Sequence, residues 1–173
     1  MSSSVRVLAA DVGGTHTRVL LADSDGTHVT PLREQHYTSA DWSALLPILQ
    51  DFLAAETSLP QTACLAIAGP ITGDGNAQRA QVTNLPWSLD SRALAAALHI
   101  PQLTLINDFA AVGHGIAALH ASDLITLQDG EPQAQAPRAV LLASTRADGA
   151  DLDAQQAAIE RVQAAFAEVK QAG

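Results

Sequence analysis

The stretch LAADVGGTHTRVLLAD, Leu8–Asp23, places two apolar runs on either side of a tip that carries Asp11, Gly13, Gly14 and Thr15. The runs, Val5–Ala10 and Arg18–Ala22, are rich in β-branched and aliphatic side chains, as strands are. A short connection with two glycines predicts that they pair antiparallel through a tight turn. A third strand follows over Thr27–Thr38, after the Asp25-Gly26 turn. Pro31, which has no N–H to give to a ladder, confines that strand to an edge or a bulge. The chain therefore opens as a three-strand meander.

Beyond the meander the period changes. DWSALLPILQDFLAAE places Trp42, Leu45, Leu46, Leu49, Phe52 and Leu53 three and four residues apart, which predicts a helix capped by Ser39 or Asp41 and kinked at Pro47. TACLAIAGP reads as a strand covered on both faces, ending at Gly69-Pro70. AQRAQVTN reads as a strand, SLDSRALAAALH as a helix capped by Ser88 or Asp90, and QLTLIND as a further buried strand. DFAAVGHGIAALH reads as a helix, and short strands are expected at Leu124–Leu127 and Ala139–Ala143. Leu152, Ile159, Val162, Phe166 and Val169 form a final amphipathic stripe. Strands alternating with helices imply an α/β sheet with right-handed crossovers.

Composition narrows the partners. With 9 Lys and Arg against 18 Asp and Glu, the net charge of -9 repels nucleic acid and anionic lipid over most of the surface. A small anion remains compatible, because backbone N–H groups hold phosphate whatever the net charge. Cys64 is the single cysteine, which excludes an internal disulfide and a thiolate metal cluster, and its apolar neighbours predict burial. The sequence shows neither a basic leader before an apolar region nor a stretch of about 20 apolar residues, so the expected compartment is the cytoplasm.

Two segments carry candidate chemistry. At a hairpin tip, Gly13 and Gly14 let backbone N–H groups converge on an anion, Thr15 adds a hydroxyl, and Asp11 can hold a hydrated Mg²⁺ against phosphate. A plain turn with Asp11 hydrogen-bonded to its backbone explains the same residues. In LTLINDFAAV an apolar strand ends in Asn107 and Asp108, at the strand end where open α/β sheets bind ligands. Asn107 can exchange hydrogen bonds with sugar hydroxyls, and Asp108 has the profile of a general base for an alcohol. Helix capping by the same pair is the competing reading. GHGIAA, Gly113–Ala118, matches a dinucleotide fingerprint, but a dehydrogenase requires a strand immediately before Gly113 and the sequence there reads as helix. The six histidines show no i,i+4 pairing and no neighbouring cysteine, which argues against catalytic zinc.

Taken in order, AADVGGTHTRVLLAD, ACLAIAGPITGD, VTNLPWSLD and LINDFAAVGHGI resemble the bacterial glucokinases of the hexokinase and actin-like ATPase superfamily, over about Val5–Val140. The resemblance implies a ribonuclease H-like mixed α/β sheet with flanking helices, forming one lobe of an actin-like ATPase fold. It implies ATP-dependent phosphorylation of glucose to glucose 6-phosphate, with ATP and Mg²⁺ as cofactors. Asp11, Gly13, Gly14 and Thr15 would meet the ATP phosphates and Mg²⁺, with Asp11 on the metal. Asn107 would bind sugar hydroxyls, and Asp108 would take the proton of the 6-hydroxyl. Gly69, Pro70 and Asn84 would line the sugar cleft. His16 stands where the family often has asparagine.

The resemblance divides the chain into a lobe over residues 1–143 and a loop with an amphipathic helix over 144–173. After Ala143 the sequence STRADGADLDAQQAA departs from the glycine-rich second phosphate loop of the family. The expected partners are glucose and ATP, with a C-terminal lobe or a homodimer mate completing the cleft. A sugar-binding or interaction module without turnover is the alternative function.

Overall fold

A computed structural model of the chain describes residues 4–75, 77–126 and 131. Two compact units divide the chain, residues 1–117 and 118–173. In the first unit, β1 (Val5–Val12), β2 (His16–Ser24) and β3 (Val29–Thr38) form the expected antiparallel meander. β4 (Thr62–Ile67) adds parallel to β1, and β8 (Gln102–Asn107) adds parallel to β4, giving the order β3-β2-β1-β4-β8. This is the mixed sheet of the ribonuclease H-like fold. A second sheet contains β5 (Ile71–Thr72), β6 (Arg79–Gln81) and β7 (Ser88–Asp90) in that order. Pro31 sits on the edge strand, paired with Ala22 beside a register shift, a placement that suits a residue with no N–H to give to a ladder.

One face of the large sheet carries the core. Leu8, Ala10 and Val12 of β1 align with Leu21, Val19 and Thr17 of β2 and with Ala63, Leu65 and Ile67 of β4, and all are buried. Leu103 and Leu105 extend the row on β8. Two helices, α1 (Leu45–Leu53) and α2 (Ser91–Leu98), contribute Leu45, Ile48, Leu49, Phe52, Leu94 and Leu98 to the same cluster. Each fully buried leucine, isoleucine or phenylalanine there contributes roughly 1.5–3 kcal/mol. Tyr37 packs edge-on to Trp42, with ring centroids 5.6 Å apart, and donates to Asp51 Oδ2 at 2.9 Å. Burial, with the Asp51 carboxylate second, pushes the Tyr37 hydroxyl up to about 12.

Several expectations are corrected. A 3-10 turn at Ser39–Asp41 precedes α1, which begins at Leu45 after Ala44, so neither Ser39 nor Asp41 caps it. Pro47 therefore falls in the first turn, where its missing N–H would have no helical partner, and there is no interior kink for it to make. β4 is not covered along the whole of its second face: Ala66 there is buried, but Cys64 is exposed, while partial desolvation raises its thiol pKa. Asp90, not Ser88, caps α2, its Oδ1 accepting from the N–H groups of Arg92 at 3.0 Å and Ala93 at 3.1 Å. The third helix, α3 (Asp108–Gly115), contains Gly113 and Gly115 and is followed by a 3-10 turn at Ile116–Ala118, which places the GHGIAA match at a helix end rather than on a strand-to-helix turn.

In the second unit, Ala121–Asp123 forms a 3-10 turn, and Leu124–Thr126, expected in a strand, has no strand pairing. Leu127, the strand expected at Ala139–Ala143, the boundary at 143 and the Leu152–Val169 stripe lie outside the described residues.

Candidate functional site

The parallel strands β1, β4 and β8 end side by side, with Val12 in register with Ile67 and Ile67 with Asn107. The segments that leave these ends carry Gly13–Thr15, Gly69-Pro70 and Asp108. They are tied across the edge: Ala68 N–H donates to Val12 O at 3.0 Å, and Thr83 N–H donates to Ala68 O at 2.8 Å. Asn107 Nδ2 donates to Gly69 O at 3.1 Å. A Cβ on Gly14 would lie 2.8 Å from Thr83 O and 3.3 Å from Asn84 Cβ, and one on Gly69 would lie 2.1 Å from Gln81 O. Both positions need glycine because backbone passes there. Asn84 holds a left-handed conformation, φ 63°, in the connection between β6 and β7, which asparagine adopts more readily than most residues. Gly13, Gly14, Gly69, Asn84, Asn107 and Asp108 thus converge on one edge, with Pro70 exposed beside them.

The hairpin tip closes through Gly13 N–H on His16 O at 2.9 Å. Thr15 and Asp11 are exposed, and the Asp11 carboxylate makes no hydrogen bond to the turn among the described residues, so it does not serve as a turn cap. It lies directly across the ladder from Arg18, on the face of the sheet opposite the core. Arg18 is held by Glu34 on β3, and His36 reaches the same Glu34 Oε1 at 2.9 Å. These hydrogen bonds hold the Glu34 carboxyl below its ordinary value. The Glu34 bond and charge raise Arg18, to which Asp11 adds a smaller Coulombic push. Ala9, Ala10, Asp11, Arg18, Leu20 and Glu34 line a shallow depression of about 340 Å³ on this face.

Asn107 is the N-cap of α3, its Oδ1 accepting from Phe109 N–H at 3.1 Å and Ala110 N–H at 3.4 Å. Capping and ligand binding are compatible here, because the cap uses Oδ1 and Gly69 uses one Nδ2 hydrogen, leaving the other for a ligand. Asp108, half-buried at the first helical position, accepts from Phe109 N–H at 2.9 Å through Oδ1 and keeps Oδ2 free of protein hydrogen bonds among the described residues. Among those residues no three acid, histidine or cysteine side chains cluster as a metal cage. A lone exposed carboxylate such as Asp11 fits Mg²⁺ carried by a nucleotide, which keeps several waters and takes one or two protein oxygens.

A family profile described as glucokinase matches residues 8–158. The chain belongs to the glucokinase family. It is 46% identical over 141 residues to a glucokinase of Nostoc punctiforme, covering 80% of this chain and 40% of that one. A glucokinase of Pectobacterium atrosepticum is 34% identical over 139 residues, with 80% and 41% covered. The crystal structure of a glucokinase from an Antarctic psychrotroph superposes with a TM-score of 0.63 at 29% identity, over 74% of this chain and 40% of that one. The chain thus spans about 40% of the length of the curated relatives it matches. Among the described residues no helix is long and apolar enough to cross a membrane.

Beside the glucokinase motifs, the structure adds residues that the sequence reading passed over. Arg18 had a signal, since a two-residue turn fixes it opposite Asp11. Glu34 comes from β3, where no local pattern marks it, and Ser39 comes from the turn after it, where its local pattern is that of a helix cap and not of a contact with the hairpin tip.

Proposed function

We propose that this chain supplies the phosphate-holding and hexose-holding edge of an ATP-dependent glucokinase that forms glucose 6-phosphate. The observation that carries the reading is the continuous linkage across the strand ends. Gly14 abuts Thr83 and Asn84, Thr83 is bonded to Ala68, and Gly69 is bonded to Asn107. A donor at the glycine turn and an acceptor at Asn107 and Asp108 are thereby held to one rigid frame, as in-line phosphoryl transfer requires.

In this reading Gly13, Gly14 and Thr15 hold the ATP phosphates through backbone N–H groups and the Thr15 hydroxyl, and Asp11 holds Mg²⁺, which offsets phosphate charge. Asn107 orients the sugar through its remaining Nδ2 hydrogen, and Asn84, Gly69 and Pro70 border the cleft. Asp108 accepts the 6-hydroxyl proton as that oxygen bonds to the γ-phosphorus. The bond from phosphorus to the β–γ bridging oxygen then breaks, and ADP leaves with the electron pair. Residues 1–143 constitute the lobe in this assignment, a further lobe or a second copy completes the cleft, and the compartment is the cytoplasm.

Asp108→Asn tests the assignment, because it preserves size and removes the base. Measured as glucose 6-phosphate formation in the active assembly, turnover should fall about 10²- to 10⁴-fold while glucose affinity persists. Equal turnover by the variant removes Asp108 from the mechanism. Glucose binding by an unmutated assembly that forms no product supports the sugar-binding alternative.

A further inference from the structure

We propose that Ser39, which lies outside the glycine motif, is the positioning residue that sets the direction of the N–H groups in the Gly13–Thr15 loop. The proposal rests on reading that loop as the phosphate site. Ser39 is fully buried, 24 residues beyond Thr15, in the 3-10 turn that ends β3. Its Oγ donates to Gly13 O at 2.9 Å and lies 3.0 Å from Thr17 Oγ1, and its N–H donates to Thr15 O at 2.9 Å. A carbonyl can only accept, so the single Ser39 hydroxyl proton goes to Gly13, and Thr17 must donate to Ser39. The result is a one-way relay from Thr17 to Ser39 to the Gly13 carbonyl, with both hydroxyls sealed from solvent.

Peptide geometry converts this anchor into a function. In a planar trans peptide the C=O and the following N–H point in opposite directions, and the chain has no cis bond among the described residues. Drawing Gly13 O and Thr15 O inward to Ser39 turns the Gly14 and His16 N–H groups away from it. A two-residue hairpin ordinarily closes with a bond from the fourth N–H to the first carbonyl. Here Gly13 O accepts from Ser39 Oγ, no bond from the His16 N–H to it is present, and Gly14 N–H has no acceptor among the described residues. Without the Ser39 hydroxyl to draw it inward, the Gly13 carbonyl could swing to accept the His16 N–H, folding into the turn a donor that the anion needs.

The test uses the full chain labelled with ¹⁵N, Mg²⁺ with inorganic tripolyphosphate as probe, and nuclear magnetic resonance of the Gly14, Thr15 and His16 amides. In the unmutated chain these signals should move on titration. Ser39→Ala should raise the titration midpoint about tenfold and lower the order parameters of Gly13–His16, with the signals of Leu65 and Leu105 in the core unchanged. Thr17→Val should raise the midpoint two- to threefold, and Thr17→Ser, which restores a hydroxyl, should not. An unchanged midpoint in folded Ser39→Ala overturns the proposal. If Ser39→Ala does not fold, an unchanged midpoint in Thr17→Val overturns it. If the unmutated amides do not respond to the probe, the phosphate-site reading fails and the proposal with it, an outcome distinct from a response that the mutations leave unaltered.

Discussion

Replacing Gly69 by alanine is the most direct probe of how the strand edge is held. The added Cβ would stand 2.1 Å from Gln81 O, against an ordinary contact that begins near 3.4 Å. Either the β6 backbone or the Gly69 segment must retreat by about 1.3 Å. Retreat of the Gly69 segment breaks the 2.8 Å bond from Thr83 N–H to Ala68 O and the 3.1 Å bond from Asn107 Nδ2 to Gly69 O, whereas retreat of β6 breaks the first alone. Overpacking costs about 1–3 kcal/mol and each lost bond about 0.5–1.5 kcal/mol, so Gly69→Ala should destabilise by roughly 1.5–6 kcal/mol. Against a total stability of about 5–15 kcal/mol, that is a large fraction. Urea unfolding followed by circular dichroism measures it, with Gly113→Ala as control. Gly113 is helical and has no atom within 4 Å of an added Cβ, so its replacement should stabilise by about 0.5–1 kcal/mol. A Gly69→Ala unfolding curve within about 0.5 kcal/mol of the parent would refute the close-approach argument.

Two further outcomes follow from the hydrogen bonds of the fold. The Tyr37 hydroxyl has a folded pKa of about 12, above its ordinary value near 10. Its contribution is therefore complete below pH 10 and lost as pH rises from there towards 12. Tyr37→Phe should remove that component, so the unmutated chain loses roughly 2–3 kcal/mol more than the variant across the interval; parallel loss in both would contradict the assignment. Asp90→Ala should lower the thermal midpoint by about 2–4 °C through fraying of α2. The Asp90 pKa is lowered by the Ala93 N–H and then by Arg79. Its contribution, present above the ordinary carboxylate range, should disappear as pH falls through the lowered folded value.

The meander was legible because alternation, glycine and proline act locally: residues 8–23 specify a hairpin, and Pro31 specifies an edge. The helix starts were less legible. Ser39 and Asp41 have the composition of N-caps, but Ser39 is committed to Gly13, Thr15 and Thr17, so the chain turns once as 3-10 and starts α1 at Leu45. A tertiary demand overrode a local propensity there. Cys64 failed for a similar reason. Its apolar neighbours imply burial, but burial depends on what covers the second face of the sheet, and strand periodicity carries no information about that. At the edge, Asp11 and Asn107 could be found from their positions at strand ends, whereas the contact of Gly14 with Thr83, across 69 residues, could not.

The same geometry predicts how the 173-residue chain behaves when assayed alone. Asp11 and Arg18 project from one face of the sheet, and Asn107 follows the register of the other, so in the proposed reading donor and acceptor meet over the strand edge. Among the described residues that edge is open. Asp108 is only half-buried, α3 behind it buries no residue, and Phe109 and Val112 stand 43% and 46% exposed beside it. Water therefore reaches Asp108, which, in the role of base proposed for it, would hold the developing charge more weakly and compete with bulk solvent for the proton. Aligning donor and acceptor is worth roughly 7–11 kcal/mol of a barrier, and an edge that touches each reactant from one side secures only part of it. The purified chain, given ATP, Mg²⁺ and glucose, should melt cooperatively and yet form glucose 6-phosphate far below about 1 s⁻¹, the lower end of the usual range for enzymes. A coupled assay beside a thermal melt measures both. Turnover within the ordinary enzyme range by the unassisted chain would show that its strand edge is closed in solution, and would refute the inference from Asp108, Phe109 and Val112.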